Sequence, residues 1–441
     1  IGIKAQSVFT DQDYPNQMLV TLNIRDRTLH DVYRLDLDTG GLTLDTKNPG
    51  DVADWLVDPE FQVRGAHAMT PDGGAELRVR DDVDDSWRRL VKWGPEDNIC
   101  GALGFTPDGD GFYLSDSRDA NTMRLVKIDI DTKEEDVLAA DPQYDIDDTI
   151  IHPDTHQVQA VSFLADRAVW KVLDPNIEDD IERIRQIHHG DFFPINRDTD
   201  DETWLIGFTA DDGPVPYYAY ERETGDGEFL FYSRPVLKDY TLASMKPVSI
   251  IARDGLTLHG YLTLPVGIEQ KNLPMVLNVH GGPWARDTWG YDAEAQWLAN
   301  RGYVCLQVNF RGSTGYGKKF LNAGNREWGA KMHNDLLDAV DWAIEEEIAD
   351  PDRIAIYGGS YGGYAALVGA AFTPDVFACA VDIVGPSNLV TLLQSIPPYW
   401  EPVRKLFYER VGNLETEPEF LRSRSPLFKA DQIDIPMLIV Q

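Results

Sequence analysis

Three short glycine-rich segments hold the residues whose types and spacing could do chemistry. Gly358-Gly-Ser-Tyr-Gly362 follows an apolar run that reads as a strand, Arg353–Tyr357. It opens a small-residue run that reads as a helix, Gly362–Ala371. A serine on so sharp a strand-to-helix turn has a strained backbone that projects its hydroxyl. Side chains at 358 and 362 would strike the neighbouring strand or helix, which explains the glycines. The helix beyond presents its N-terminus to developing negative charge. Ser360 is therefore the expected nucleophile of an acyl transfer, and an ordinary serine turn is the plain alternative.

The second segment, His280-Gly-Gly-Pro283, ends the apolar run Pro274–Val279. Glycines there let backbone N–H groups approach an oxyanion. Gly282, or else Gly281, is the expected donor from this loop, paired with the N–H of Tyr361. His280 precedes the serine in sequence, so it reads as a residue that orients the loop and not as the base. The third segment is Asn309-Phe-Arg-Gly-Ser-Thr-Gly-Tyr-Gly317. It reads as a rim loop, with Arg311 a candidate substrate-binding residue or a brace for nearby carboxylates. It lacks the lysine-serine ending of a phosphate loop. Leu393, Tyr399 and Trp400 supply apolar surface that could line a substrate pocket or merely pack a lid.

Two kinds of chain must position these segments. From about residue 246, apolar strands alternate with helices, as in a parallel sheet covered on both faces. A hairpin turning at Asp254-Gly255 opens this part. Strands are expected at Pro274–Val279, Tyr303–Asn309, Asp352–Tyr357, Cys379–Val384 and Pro436–Val440, and helices at Glu294–Asn300 and Asp335–Ile348. Residues 1–235 instead show short period-two runs between Asp, Gly and Pro turns, with one short helix candidate at Glu178–Ile187. A degenerate repeat runs through them: Leu-Asp-Leu-Asp-Thr-Gly ends at Gly40, Ile-Asp-Ile-Asp-Thr-Lys at Lys133 and Tyr-Glu-Arg-Glu-Thr-Gly at Gly225. With intermediate copies the unit is about 46 residues, the size of a four-stranded propeller blade. The expected organisation is a partial β-propeller of about five blades (1–235), a linker (236–245) and an α/β-hydrolase domain (246–441).

Taken together, HGGP, NFRGSTGYG and GGSYGGY, in this order behind a β-repeat region, make the chain resemble the prolyl oligopeptidase family of serine peptidases. The likeness is strongest to its acylaminoacyl-peptidase and dipeptidyl-peptidase-like branches. The resemblance implies a propeller of seven or eight blades on an α/β-hydrolase, and hydrolysis of short peptides without metal or organic cofactor. It matches Ser360 to the nucleophile, and Tyr361 and the HGGP loop to the oxyanion donors.

An α/β-hydrolase orders its triad serine, acid, histidine. None of the nine histidines follows Ser360. The acid and the histidine are thus expected to lie outside these 441 residues, and this stretch alone is expected to be inactive. The same reading takes it as cut at both ends.

A net charge of −34 argues against non-specific nucleic-acid binding. Scarce lysine beside many carboxylates fits an ordinary acidic protein or one adapted to high salt. No 18-residue apolar run is present, so no membrane-spanning helix is expected. A soluble protein of the cytoplasm, periplasm or exterior is expected, with homo-oligomers an open option. Cys100, Cys305 and Cys379 are too dispersed for a disulfide scaffold or a cysteine metal site and read as buried thiols. His188-His189 beside Asp191 reads as packing and not as a metal site. Two rival functions remain at this point, a carboxylesterase of small acyl esters and a non-catalytic propeller scaffold.

Overall fold

The computed structural model describes residues 2–97, 99–396 and 404–441. It forms two compact units: Ile1–Pro142 with Thr155–Gln157 and the described part of Ser395–Tyr408, and the remainder. The first unit holds three four-stranded antiparallel sheets, each a meander of sequential strands. They run over Ala5–Thr46, Val52–Trp93 and Gly101–Ala139. The second unit adds two more, of three strands (Ile146–Val172) and four strands (Asp191–Tyr232). These five blade-sized sheets make a five-bladed β-propeller region, as the repeat length predicts.

The repeat has a common local cause. Asp36 accepts hydrogen bonds from the N–H and hydroxyl of Thr39, each at 2.8 Å. Asp129 treats Thr132 the same way, at 2.8 and 3.0 Å. The next residue then turns left-handed: Gly40 at φ 71°, Lys133 at φ 60° and Gly225 at φ 77°. Its N–H closes on the carbonyl four residues back in all three copies. In the first two copies an aspartate that captures the backbone ahead of it thus ends the strand, whereas the third has Glu221 at that place. Between the third sheet-pairing partners, alternate residues such as Phe112, Leu114, Val126 and Ile128 face a core shared with Leu77 and Trp93.

The fourth sheet departs from the pattern. After its third strand the chain forms the helix Glu178–Ile187, as its apolar spacing predicts. Ile181 and Ile184 are buried against Trp204 and Tyr220 of the fifth sheet. The Tyr220 hydroxyl donates to Asp180 at 2.9 Å, anchoring the helix.

In the second unit a seven-stranded sheet follows. Its strands are β1 (Met245–Ile251), β2 (Thr257–Thr263), β3 (Leu273–Val279), β4 (Val304–Asn309), β5 (Ala349–Gly359), β6 (Cys379–Ile383) and β7 (Met437–Val440). Their spatial order is β1-β2-β4-β3-β5-β6-β7. The hairpin β1–β2 is antiparallel, as its turn predicts, and the five strands from β4 to β7 are parallel. Helices α1 (Ala293–Ala299), α2 (Lys331–Glu345) and α3 (Tyr361–Phe372) cross between strands. Strands β3 and β4 are buried almost throughout, which accounts for their unbroken apolar sequence. Cys305 is buried in β4, Cys100 is buried in the first unit, and Cys379 is half-buried at the start of β6.

Lys133 is the one non-glycine among the three left-handed repeat ends. Left-handed backbone costs an L-residue roughly 1–2 kcal/mol, and glycine's extra unfolded freedom returns about half of that. Lys133→Gly should therefore raise stability by up to about 1 kcal/mol. A lower urea midpoint for the variant would refute this account of the turn.

Candidate active site

Strands β3 and β5 are neighbours, yet their outgoing connections diverge: β3 leads through α1 to β4 on one side, and β5 through α3 to β6 on the other. Such a switch point opens a crevice at the carboxyl ends of the strands. Both glycine segments leave their strands there, because Val279 pairs with Gly358.

Ser360 is exposed at the end of β5, with φ 57° and ψ −114°. Its N–H donates to the Ile383 carbonyl at 2.8 Å, tying the strained turn to β6. The turn tolerates only glycine at its flanks. A Cβ on Gly362 would lie 1.9 Å from the Val279 oxygen, and one on Gly358 would lie 2.5 Å from the same atom. The backbones of α3 and β3 touch here. The Tyr361 ring is buried and stacks on Phe310 at 5.2 Å and edge-on to Trp328 at 4.6 Å. Its ring therefore anchors the first turn of α3, whose leading N–H groups have no intrahelical acceptor.

The His280 loop lies against this turn. A Cβ on Gly281 would stand 3.2 Å from the Gly359 oxygen and 3.6 Å from Ser360 Cβ. Gly282 is exposed, with φ 115°. His280 stacks on Phe310 at 4.5 Å and 12°. Its Nδ1 is 2.7 Å from the Gly281 oxygen, so that nitrogen carries the proton, and its Nε2 faces the Ser313 hydroxyl at 3.1 Å. Burial holds the imidazole neutral, lowering its pKa to about 4. Carbonyl and N–H point opposite ways across a trans peptide. By holding the Gly281 oxygen, His280 sets the direction of the Gly282 N–H.

Two candidate residues for which the sequence left two readings open, Arg311 and Leu393, have these surroundings. Arg311 is buried, and its guanidinium is committed to two carboxylates. It meets Asp335 through Nε and Nη2 at 2.8 and 2.6 Å, and Asp254 through Nη1 and Nη2 at 2.8 and 3.0 Å. The Arg311 contact holds the Asp254 carboxyl down at about 2. Arg311 thus joins the β1–β2 turn, α2 and its own loop, the brace that the sequence offers beside a substrate-binding role. Leu393 is also buried, at 2% exposure in the helix Leu389–Gln394, where the sequence offers either pocket lining or packing. Tyr399 and Trp400 lie outside the described residues.

Sequence reasoning missed Arg286. Its guanidinium donates to the carbonyls of Leu164 and Ala165 in the fourth blade at 2.8 and 3.1 Å, and to the Tyr316 hydroxyl at 2.7 Å. No local pattern could reveal it, since these partners lie 30 and about 120 residues away. The histidine pair also differs in detail. Asp191 is held by Arg167 at 2.9 Å, and His189 faces Asp212 at 3.3 Å. Ligand atoms of His189, Asp211 and Asp212 lie within 4.8 Å of one another, but Asp211 is engaged by the Met245 N–H at 2.7 Å.

The chain is similar to several known proteins. The sequence profile of the prolyl oligopeptidase family matches residues 289–441. The chain is 44% identical to dipeptidyl aminopeptidase BIII of Pseudoxanthomonas mexicana, over 99% of its own length and 65% of that protein. It is 34% identical to dipeptidyl peptidase family member 6 of Caenorhabditis elegans, over 96% of its length and 62% of that protein. The chain thus spans somewhat under two thirds of these curated relatives. A crystal structure of puromycin hydrolase shares the fold, with a TM-score of 0.77 at 20% identity, covering 99% of this chain and 69% of that one.

Two substitutions test the site's construction. Gly362→Ala must displace strand backbone and should destabilise by roughly 3 kcal/mol or more. Gly104→Ala, which meets nothing within 4 Å, is its neutral control, and equal melting temperatures would refute the close approach. Arg311→Met strands two carboxylates, one of them fully buried. It should cost about 3–5 kcal/mol in denaturant unfolding. A variant as stable as the wild type would return Arg311 to the list of residues free to bind a ligand.

Proposed function

Because the chain belongs to the prolyl oligopeptidase family, we propose that the whole protein is a serine peptidase of short peptides and that Ser360 is its nucleophile. The observation that carries this reading is the exposed Ser360 at φ 57°, on a turn pressed against the His280 loop. In the proposed reaction Ser360 Oγ attacks the scissile carbonyl carbon. Its proton passes to a histidine outside residues 1–441, oriented by an acid that also lies outside them. The carbonyl oxygen becomes an oxyanion held by the N–H groups of Gly282 and Tyr361, with Gly281 shaping the loop. Collapse of the intermediate expels the amine, which takes the proton from the histidine. Water then releases the acyl group from Ser360.

Two relatives matched over nearly the whole chain are named dipeptidyl aminopeptidase BIII and dipeptidyl peptidase family member 6. We therefore favour removal of dipeptides from a free N-terminus over release of acylated amino acids. In this reading residues 1–235 are the propeller part, 236–245 the linker and 246–441 the catalytic part. No described helix is long and apolar enough to cross a membrane.

The test uses the full-length protein and a fluorophosphonate probe. Intact mass should show one adduct, mapping to Ser360. Ser360→Ala should abolish labelling and lower peptidase activity by roughly 10^4-fold or more with the melting temperature unchanged. Turnover near the wild-type level in that variant would sink the assignment. Dipeptidyl amides should be cleaved in preference to acylaminoacyl amides and p-nitrophenyl esters. A clear preference for esters would favour a carboxylesterase instead.

A further inference from the structure

The loop that starts at His280 is gripped most firmly five residues beyond Gly282, at Asp287. Two side chains on one face of β4 hold it. Asn309 takes the main chain: its Oδ1 accepts the Asp287 N–H at 2.7 Å and its Nδ2 donates to the Asp287 carbonyl at 3.0 Å. Gln307 takes the side chain, donating from Nε2 to Asp287 Oδ1 at 3.1 Å. Between these grips and the serine turn, the Thr314 N–H binds the Ala285 carbonyl at 3.0 Å. The stretch from Ala285 to Asp287 is thereby stitched to β4 and the loop that follows it.

The Asp287–Gln307 contact is half-made. Asp287 Oδ2 and Gln307 Oε1 are both sealed from solvent, and neither has a hydrogen-bond partner. Two orphan acceptors on one interacting pair are costly, because each forfeits its solvation. A single proton removes both. A carboxylic acid and a primary amide can close a ring of two hydrogen bonds, amide N–H to acid C=O and acid O–H to amide C=O.

We propose that Asp287 is held as the neutral acid in such a ring with Gln307, and that this pair positions the loop bearing the oxyanion donors. The positioning role rests on the peptidase reading above, whereas the protonated pair does not. The charged surroundings agree with it. Burial is the main influence and pushes the Asp287 carboxyl up to about 7, the Gln307 N–H and Arg286 oppose the rise, and Asp292 and Glu294 at the start of α1 add to it. The buried Cys305 thiol on β4, itself raised by burial, brings no cation to the group. Above neutral pH the acid O–H bond is lost. A carboxylate then remains beside two others, with only Arg286 and one amide N–H in its favour.

The sign of the stability effect follows. A carboxyl raised from 3.8 to about 7 by folding binds its proton more tightly in the folded state. Its contribution is complete below the unfolded value and is lost as pH rises through the folded one. Asp287→Asn keeps the ring, with an amide N–H in place of the acid O–H, and has no proton to lose. In the full-length protein the melting temperature of the wild type should fall relative to Asp287→Asn by several degrees as pH rises from about 4 to about 7, then run parallel. Parallel curves throughout would overturn the protonated pair. Should the asparagine variant fail to fold, Asp287→Leu, which also cannot ionise, takes its place in this comparison.

The positioning role is read from the rate at which a fluorophosphonate labels Ser360. The ratio of variant to wild-type rate should rise several-fold across the same transition near neutrality, since titration of the catalytic histidine cancels in it. A constant ratio beside diverging melting curves would overturn positioning and leave the pair standing. A wild type that is never labelled would overturn the peptidase reading and the positioning role together, while the melting curves still decide the pair.

Discussion

Everything at the candidate site depends on how closely β3 and β5 bring two backbones together. Val279 pairs with Gly358, and the next residues of both strands leave the sheet at the point where their connections part. The Val279 carbonyl then sits where a side chain on Gly358 or Gly362 would have to be. That contact forces the sharp turn, and the turn forces Ser360 into a left-handed backbone with its side chain in the open. The same contact places Gly281 beside the serine. Position and strain have a single cause, backbone packed on backbone, and glycine is the residue that permits it.

Loops carry the chemistry in such folds, and loops need bracing because they lack a ladder of their own. Here the braces are polar, and Arg311 among them is buried. Arg311 draws a hairpin turn and a helix onto the loop after β4 through Asp254 and Asp335. Burying these charges is unfavourable in itself, and only their mutual pairing offsets it, so the arrangement stabilises one geometry more than it stabilises the fold. Arg286 does the equivalent for the loop after β3, reaching blade carbonyls and the Tyr316 hydroxyl. His280 acts at shorter range, by gripping the carbonyl of the peptide whose N–H is the expected donor. Beneath them Phe310, Tyr361 and Trp328 form an aromatic floor that fixes the first turn of α3.

The blade region is held by a different economy. Two of its strands end where an aspartate captures the backbone N–H groups ahead of it, with the same bonds around Asp36 and Asp129. The conformation persists even where the repeat has lysine for glycine, at Lys133. Side-chain capture therefore dominates the backbone preference of the closing residue. The fourth blade shows the limit of the repeat. There the segment Glu178–Ile187 carries isoleucines at helical spacing, and it folds as a helix onto Trp204 and Tyr220.

Local rules were legible in the residues themselves. Period-two runs and Asp-Thr-Gly turns predict the blade strands, continuous apolar runs predict the parallel sheet, and GGSYG between strand and helix predicts the serine turn. Each depends on neighbours within a few residues, where backbone geometry and side-chain capture act. The fates of Arg286 and Asp287 were not legible, and those of Arg311 and Leu393 were left between two readings. Arg311 reads from the sequence as a ligand-binding residue or a brace, and its partners Asp254, 57 residues before it, and Asp335, 24 after, are set by the fold alone. Asp287 is one of many aspartates until β4 sets Gln307 and Asn309 against it. A charge or an amide acquires its role from the partners that folding supplies and from the water that folding removes. Both are properties of the packed chain, with no counterpart in the order of residues along it.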